Sequence, residues 1–440
     1  MADYLTTDTE LTSVANAIRT KGGTSAALVY PAGFVSAIEA IPTGIAPTGT
    51  ISITENGTVD VTQYATADVN VSGGGGNPTA DENDVIFIDY DGTIRYSYTA
   101  ANFANLTAMP ENPTHDGLTA QGWNWSLSDA KTFVATHKQL IIGQLYDTDD
   151  TKSRLYIYIA GDIYNSPKFY WYQSGDMVIN FGDGTVESFT GVGNKNTTHT
   201  YSQPGLYIVS FDVANNEVMR FGFSDNGYNV FGETGTSNAY NGILKKVELG
   251  SRIQFGGALN YYSFYGCYAL ETITIPNHIN NLGQRTFYNC YSLKSITIPS
   301  TVTSFYDYVL YNAYTLKKVS LPKGININAN YFVYNNYALD RFIIPDGCVS
   351  LGNYNLCNAY CIKTIIVPST VTRIGSNFAS SAKSLQYVYM YSSTPPSIGS
   401  FLFSSASSNY VISVPAGSKT TYDAASNWSN VASHIVERSA

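Results

Sequence analysis

Tyrosine and asparagine recur at fixed positions between residues 262 and 360, and their side chains are well suited to molecular recognition. The chain has 440 residues and 36 Tyr, and fifteen of these Tyr lie between 261 and 360. Tyr gives a large, rigid contact area at low entropic cost, and Asn adds adaptable hydrogen bonds. This chemistry favours binding over catalysis. The candidate receptor-binding residues are Tyr262, Tyr265, Tyr268, Arg285, Tyr288, Asn289, Tyr291, Tyr308, Tyr311, Asn312, Tyr314, Tyr331, Tyr334, Asn335, Tyr337, Tyr354, Asn358 and Tyr360.

A repeat of 23 residues sets the spacing of these side chains. Each repeat has an apolar anchor followed by a short apolar strand pattern, and in five of six repeats a Pro follows the strand. A period of roughly 20 to 29 residues predicts stacked units that form a solenoid, because no unit can bury its own apolar face. The anchors are Leu270, Leu293, Leu316, Leu339, Ile362 and Leu385.

The distance from the anchor predicts which side chains lie inside. Positions six and three before it are apolar or small in most repeats, as at Phe264 and Cys267, so we expect them inside a short helical turn. Positions eight, five, four and two before it carry most of the Tyr and Asn and should face solvent. With rungs about 4.8 Å apart, six rungs predict a wall roughly 30 Å long. A structural aromatic ladder is the alternative to a binding surface.

The cysteines and histidines are not spaced as metal ligands. Five Cys is an odd count and no CxxC occurs, so we expect buried thiols rather than a disulfide framework. A Cys267–Cys290 disulfide is the alternative to simple packing. No His lies near these Cys at zinc-ligand spacing, and the sequence predicts neither metal nor cofactor. The cysteines are Cys267, Cys290, Cys348, Cys357 and Cys361.

Catalytic motifs are not evident either. The carboxylates of the repeat are sparse and do not pair between rungs, whereas a glycosidase needs two convergent carboxylates. No GxSxG, HExxH or phosphate-binding loop occurs. Asp183 and Asp212 could contact Ca²⁺, although Asp183 fits a tight turn better. We therefore expect a protein that is not an enzyme.

Charge and hydropathy restrict the partners. Lys and Arg number 24 against 33 Asp and Glu, a net charge of −9, which disfavours nucleic acid. The sequence contains no run of 18 apolar residues, so membrane insertion is not predicted, and the first residues do not resemble a secretory signal. We expect assembly in a reducing cytosol.

The fold class predicted for the whole chain is multidomain and mainly β. In the α/β part, Asp91-Gly92 predicts a hairpin turn and Ser128 a helix cap. The expected segments are a helical docking or oligomerisation segment at 1–44, a small β unit with a Gly linker at 45–77, a mixed α/β module at 78–160, a β-sandwich at 161–215, a solenoid at 216–391 and a C-terminal cap at 392–440.

Two parts of the chain resemble known modules. The segment Leu270-Glu-Thr-Ile-Thr-Ile-Pro276 with Phe287-Tyr-Asn-Cys290 resembles the BspA-type leucine-rich repeat, and residues 395–428 resemble the C-terminal cap of that family. Asn180-Phe-Gly-Asp-Gly-Thr185 with His199-Thr-Tyr201 is similar to a PKD domain, which implies that the predicted sandwich is PKD-like.

The N-terminal third resembles tail proteins from phages of gut Firmicutes. The similar segments are Thr7-Asp-Thr-Glu-Leu-Thr12, Lys21-Gly-Gly-Thr24, Tyr30-Pro-Ala-Gly-Phe34 and Asp116-Gly-Leu-Thr-Ala-Gln-Gly-Trp-Asn-Trp125. This resemblance implies a tail fibre or receptor-binding protein of the virion tail, assembled in the host cytoplasm. Its N-terminal helices would dock on tail or baseplate proteins or form a homo-trimer. The middle domains would act as spacers, and the Tyr/Asn face would bind a bacterial surface protein or glycan.

Three further hypotheses remain open at this level. The competing class is a bacterial cell-surface leucine-rich-repeat adhesin, and a capsule depolymerase comes third. The residue set at the outer positions also matches adenine-directed mutation of Asn codons, as in a diversity-generating retroelement that makes a hypervariable surface. Duplication of a Tyr-Asn repeat is the simpler origin.

Overall fold

The computed structural model describes residues 50–52, 66–68, 85–161, 164–214, 216–223, 227–233, 239–254 and 262–438. The chain divides into two units, Met1–Gly74 and Gly75–Ala440. The helical segment predicted at 1–44 lies outside the described residues. In the first unit, strand β1 (Thr50–Ser52) pairs in parallel with β2 (Thr66–Asp68). As predicted, the described chain is mainly β, with few helices and a C-terminal solenoid.

The second unit begins with an α/β module that has one mixed sheet. The strand order is β4-β3-β6-β5, with β3 and β4 joined by the predicted hairpin at Gly92 (φ 85°). Phe103 and Phe133 bring the two helices onto the buried strand β3. The elements are β3 (Val85–Ile88), β4 (Ile94–Tyr98), α1 (Ala100–Ala104), β5 (Leu118–Trp123), α2 (Leu127–His137) and β6 (Leu140–Thr148).

Helix α2 is capped two residues earlier than the sequence suggests. Ser126, not Ser128, is the N-cap, because its backbone is extended and its Oγ accepts the N–H of Asp129. Ser128 lies inside the first turn, where its Oγ meets the Oγ of Ser126. Two serines in close succession offer the same capping oxygen, and the backbone conformation decides which of them caps the helix.

A pair of facing β-sheets follows the module. Phe169 and Trp171 on one sheet pack against Phe211 on the other. The larger sheet has the order β10-β9-β12-β7-β16-β17, and the smaller has β11-β8-β13. The strands of this region are β7 (Ser153–Ile159), β8 (Lys168–Gln173), β9 (Met177–Asn180), β10 (Val186–Phe189), β11 (Gly193–Thr198), β12 (Gly205–Val213), β13 (Met219–Phe221), β14 (Tyr228–Asn229), β15 (Gly232–Glu233), β16 (Leu244–Glu248) and β17 (Thr272–Thr274).

The larger sheet continues directly into the solenoid. Strand β7, which falls within the predicted segment 78–160, pairs antiparallel with both β12 and β16. Strand β16 then pairs in parallel with β17 of the first regular repeat. The first edge of the solenoid is therefore occupied by a strand from the preceding sheet, which protects it from pairing with another chain.

Each regular repeat of the solenoid contributes one short strand to the stack. Its inner positions match the prediction, since Phe264, Cys267, Phe287 and Cys290 are all fully buried. The outer segments are hydrogen-bonded turns and not the predicted helical turns, because each carries left-handed residues that a helix does not allow. The strands are β18 (Ser295–Thr297), β19 (Lys318–Ser320), β20 (Arg341–Ile343), β21 (Ser350–Leu351), β22 (Thr364–Val367), β23 (Arg373–Ile374), β24 (Tyr387–Met390) and β25 (Ser397–Ile398). The repeats from β20 onward contribute a second strand each to a separate parallel sheet of order β21-β23-β25.

All five thiols are free, and four of them are buried as predicted, whereas Cys361 is exposed. Cys267 and Cys290 stack on successive rungs, and the Sγ of Cys290 donates to the carbonyl of Phe264 at 3.2 Å. Burial raises the pKa of the Cys267 thiol well above its usual value. Both side chains therefore serve as small apolar groups of the core.

A C-terminal cap ends the stack. Strands β26 (Val411–Val414) and β27 (Ile435–Glu437) extend the parallel sheet, and helix α3 (Lys419–Ala424) lies between them in the chain. Tyr422 and Trp428 are buried, and the hydroxyl of Tyr422 and the indole N–H of Trp428 donate to backbone carbonyls. A solenoid needs such a terminus because its last repeat has no neighbour to cover its apolar side.

The α/β module covers the strand face of the solenoid. The Oγ of Ser295 donates to the carbonyl of Tyr90 at 3.0 Å, and the Oγ of Ser320 donates to that of Ile141 at 2.8 Å. A Cβ added at Gly143 would overlap the Thr297 side chain. The small residues of this face, which look unremarkable in the sequence, are thus the floor of a close contact. The predicted spacer role for the module does not agree with this packing.

Asn124 tests this contact. It is 3% exposed, donates to the carbonyl of Ile298 at 3.0 Å and accepts from the N–H of Gly143 at 2.9 Å. Asn124→Ala should lower the free energy of unfolding by about 2 kcal/mol, because buried backbone groups lose their partner. Chemical denaturation measures this loss, and Lys323→Ala, which removes only an exposed ion pair with Asp129, is the matched control. If the two changes lowered the free energy of unfolding equally, this would contradict the close packing of the module on the strand face of the solenoid.

Candidate recognition surface

The outer turn of each repeat depends on two left-handed residues. The position eight before the anchor has φ 64° at Tyr308 and 57° at Tyr331, and the position four before it has φ 61° at Asn312 and 56° at Asn335. Asn tolerates this conformation well, which explains its recurrence at the second position. Tyr does not, so the first position carries backbone strain of about 1 kcal/mol or more per rung.

The Asn side chains form a continuous amide ladder along the solenoid. The Nδ2 of each Asn donates to the Oδ1 of the Asn one rung before, at 2.7 Å from Asn312 to Asn289, 2.8 Å from Asn335 to Asn312 and 2.7 Å from Asn358 to Asn335. Asn312 and Asn335 each keep one N–H and one lone pair outside the ladder, whereas the second N–H of Asn358 is directed to the hydroxyl of Tyr334. The predicted binding role of these Asn therefore coexists with a structural one.

The Tyr side chains stack in three columns, which together we call the Tyr wall. Within a column the rings are nearly parallel, and centroids of successive rungs are 4.6–5.0 Å apart except for 6.4 Å between Tyr268 and Tyr291. The first column is Tyr308, Tyr331 and Tyr354, the second is Tyr265, Tyr288, Tyr311 and Tyr334, and the third is Tyr268, Tyr291, Tyr314, Tyr337 and Tyr360.

The first and second columns also contact each other. Rings of the same rung meet edge to face, with centroids 5.6 Å apart for Tyr308 and Tyr311. Arg285 takes the place of a ring in the first column, where its guanidinium lies 5.1 Å from the ring centroid of Tyr308 and donates to the hydroxyl of Tyr262 at 2.7 Å. The two columns are therefore one packed slab, extended by a cation–π contact.

The predicted solvent-facing stripe is present in the structure. The rings of the wall are half-buried or exposed, and the third column is the more open, with Tyr268 43% exposed and Tyr360 39%. The wall is shorter than predicted, because its longest column spans five rungs, or about 20 Å, and the sixth rung carries no Tyr. All of the candidate receptor-binding residues lie on this surface; their role in binding remains a prediction.

Stacking determines which part of each ring a partner can reach. Inside a column both faces of a phenol lie against neighbouring rungs, so the edges and hydroxyls remain open. Sugar binding through ring faces is therefore excluded for the rings inside a column. Since the wall offers hydroxyls and amides in rows, it suits polar contacts made over a flat area.

Burial and crowding make these phenols weak acids. Burial, together with the neighbouring Tyr311 and Tyr265, raises the pKa of Tyr288 to about 12. Burial also raises the pKa of Tyr311 and Tyr334. The wall thus presents neutral hydroxyls that can donate and accept hydrogen bonds at physiological pH.

Two buried polar clusters have no counterpart in the sequence pattern. Asp89 is fully buried and accepts hydrogen bonds from Arg95 and Tyr146, and its Oδ2 lies 2.8 Å from the Nε2 of His115. Burial would raise the pKa of Asp89, but the hydrogen bond and charge of His115 and the charge of Arg95 outweigh it, so the pKa is lowered. Arg95 is six residues from Asp89, but His115 and Tyr146 are 26 and 57 residues away, so no regular spacing signals the cluster.

The second cluster joins the module to the solenoid. The Nζ of Lys246 lies 2.8 Å from Glu248 and 4.7 Å from the ring centroid of Tyr90 in the module. Tyr156 donates to Glu248 at 2.9 Å. Each carboxylate in the two clusters is paired with a cation, Asp89 within the module and Glu248 close to its contact with the solenoid, which fits a role in packing.

In the part of the chain that the structure describes, neither a metal-ligand cluster nor a membrane-spanning helix occurs. Within it, no group of three or more His, Cys, Asp or Glu side chains is arranged to hold a metal ion. None of its helices is both long and apolar enough to cross a bilayer.

Substitutions at Asn312 should separate two contributions of this Asn to stability, namely its hydrogen bonds in the amide ladder and its tolerance of a left-handed backbone. Asn312→Ala loses the hydrogen bonds and places a Cβ-bearing residue of poor left-handed propensity at φ 61°, so we expect a loss of about 2 kcal/mol in the free energy of unfolding. Asn312→Gly loses only the hydrogen bonds and should cost about 1 kcal/mol less than Asn312→Ala. Thermal and chemical denaturation measure both, and the reverse order would refute a left-handed requirement.

Alkaline pH should destabilise the wall. Because the folded-state pKa of Tyr288 is about 12 and the ordinary value is 10, the stabilisation is complete below pH 10 and is lost as pH rises from 10 through 12. Denaturation curves across this range, followed with phenolate absorbance, measure the loss. Tyr288→Phe should reduce the pH dependence, and stability that is constant from pH 9 to 12 would contradict the buried phenols.

The comparisons with known proteins concern the solenoid. Residues 257–386 and 326–439 match the family described as BspA type Leucine rich repeat region, in six copies. None of the curated proteins compared matches the chain.

Two solved structures are distantly similar. A leucine-rich repeat protein from Bacteroides ovatus is 20% identical, with 60% of this chain and 74% of that one covered and a TM-score of 0.30. A leucine rich cell surface protein from Faecalibacterium prausnitzii is 18% identical, with 43% and 70% covered and a TM-score of 0.25. Likenesses this distant carry no functional argument, and the phage and PKD resemblances find no counterpart among these matches. The C-terminal solenoid of this protein is built from BspA-type leucine-rich repeats.

Proposed function

We propose that this protein is an adhesion protein that binds a macromolecule on a bacterial surface through the Tyr wall and does not cleave it. The observation that carries the proposal is the set of three half-exposed Tyr columns flanking an amide ladder on one side of the solenoid. Tyr and Asn in this density give a rigid contact area with adaptable hydrogen bonds. A purely structural ladder would not need the most exposed column.

The covered strand face supports the same surface. A solenoid presents two broad sides to a partner, and here the module packs against the strand side through Ser295, Ser320 and Ile343. The outer turns carry no such cover among the described residues. A large partner of the solenoid would therefore meet the Tyr wall first.

Two biological settings fit this proposal. A bacterial cell-surface adhesin accords with the BspA-type repeats, and we place it first. A phage tail fibre is the second candidate, favoured by the similarity of Asp116–Trp125 and the N-terminal segments to phage tail proteins. In the second setting a PKD-like middle region would connect the virion to the solenoid, with docking on the baseplate or a homo-trimer at 1–44. Antibody labelling of producing cells and of released virions distinguishes the two.

Substitutions in the third column test the binding role. Tyr314→Ser with Tyr337→Ser in the full chain should reduce attachment to susceptible bacteria at least about tenfold, as for hot-spot aromatic residues. Tyr314→Phe with Tyr337→Phe keeps the stacked rings but removes the hydroxyls, and should give an intermediate loss. Flow cytometry with labelled protein measures attachment.

The matched control is Tyr158→Ser, which alters a Tyr that is 48% exposed but lies outside the wall. Its attachment should equal that of the unaltered protein. Circular dichroism and melting curves show whether the variants remain folded. Normal attachment by a folded Tyr314→Ser, Tyr337→Ser protein would refute the wall as the binding surface.

A further inference from the structure

The Tyr columns end at different rungs, and this produces a step in the wall. The second column ends at Tyr334, whereas the first and third continue one rung further to Tyr354 and Tyr360. On that rung Cys357 occupies the position that Tyr holds in the three preceding rungs, at 288, 311 and 334. The wall thus lacks one phenol in its middle column.

The gap lies on the open face of Tyr334. One face of this ring stacks on Tyr311 at 4.8 Å, and the other is directed to the rung of Cys357. Cys357 is 7% exposed and much shorter than Tyr, so no ring stacks on this face of Tyr334, and its thiol makes a hydrogen-bond contact with the Tyr334 side chain. This makes the step a place where a ring of the second column offers a face and not only an edge.

Polar groups surround this ring face. The Nδ2 of Asn358 lies 3.3 Å from the hydroxyl of Tyr334, and Ser380 and Ser381 stand on the next rung, both half-buried. The rings of Tyr354 and Tyr360 flank the gap in the two outer columns. The space of the one missing ring therefore has the apolar face of Tyr334 on one side and hydroxyl and amide groups around it.

We propose that this step is a carbohydrate subsite in which one pyranose ring lies on Tyr334 in place of the missing phenol. A pyranose presents an apolar CH face that buries against an aromatic ring and a rim of hydroxyls that needs polar partners. The step supplies both. The Oγ of Ser380 and the Nδ2 of Asn358 already donate within the protein, but their side-chain oxygens can accept further hydrogen bonds, which the hydroxyls of a sugar supply and an aromatic side chain of a protein ligand does not.

The inference deepens the proposed function and rests on it, since it names the ligand class of part of the same surface. It also explains how a glycan could be bound by a wall in which the rings inside each column have both faces occupied. The rest of the wall would then add edge and hydroxyl contacts along the polymer.

The decisive substitution is Cys357→Tyr, which restores the residue that the preceding rungs carry. The backbone tolerates it, because the N–H of residue 357 bonds to the carbonyl of Tyr354 as that of Tyr288 bonds to that of Arg285. Cys357→Tyr should complete the second column, fill the gap and abolish sugar binding without loss of stability. Cys357→Ser keeps the gap and is the matched control.

The probe is an array of defined pyranose oligosaccharides, bound by the labelled full-length protein, and the affinity of the strongest ligand is then measured by calorimetry. We expect binding by the unaltered protein and Cys357→Ser, a loss of at least tenfold with Cys357→Tyr, and a smaller loss with Ser380→Ala. No binding to any oligosaccharide, or unchanged binding by folded Cys357→Tyr, would overturn the subsite. Binding of a Trp-containing peptide that Cys357→Tyr abolishes, with no sugar bound, would overturn it in favour of a protein ligand.

Failure of the subsite and failure of the proposed function give different results. If Cys357→Tyr still attaches to cells but the third-column Ser variant does not, the wall binds its target without a sugar at the step. If neither variant changes attachment, the wall is not the binding surface.

Discussion

The structure depends on the in-register stacking of each repeat on the next, and where the strands of successive repeats pair, as β18 with β19 and β20 with β22, they pair in parallel. Because the repeat length is constant, pairing in register places each side chain above the same position of the next rung, as with Arg341 opposite Thr364 and Thr364 opposite Tyr387. The stacked rows of the solenoid follow from this shift of one repeat. Phe264 stacks on Phe287 inside, Asn312 bonds to Asn289 at the turn, and Tyr311 stacks on Tyr334 outside. A residue type that recurs in the sequence thus becomes a column in space.

Because the rungs stack in register, one part of each side chain contacts the neighbouring rungs and another part remains available to a partner. Stacked neighbours take up the faces of the phenols and one N–H of each amide, which stabilises the turns. Edges, hydroxyls and, at Asn312 and Asn335, the second N–H are left for a partner. The alternatives of a structural ladder and a binding surface are therefore compatible, since they use different parts of the same residues.

Sequence periodicity predicts much of this arrangement but not all of it. The 23-residue spacing is enough to predict the buried row at Phe264 and Cys267 and the exposed columns of Tyr, because both follow from local position in the repeat. The cover over the strand face is not predictable, since Ser320 meets Asn124 across nearly 200 residues of chain and neither residue signals the other. The loss of open ring faces is not predictable either, because the sequence shows which side chains align but not how their planes are oriented.

The strained left-handed position in each turn has a consequence for how recognition can change. Tyr308, Arg285 and Asn377 all occupy it with φ between 54° and 64°. Tyr and Arg, which both have an unbranched Cβ, meet nearly the same steric penalty there, whereas Asn meets less, so the backbone scarcely discriminates between the two bulky residues. Exchange between them changes the outer surface and leaves the architecture intact, which, under the proposed function, makes this turn a natural site for divergence in specificity.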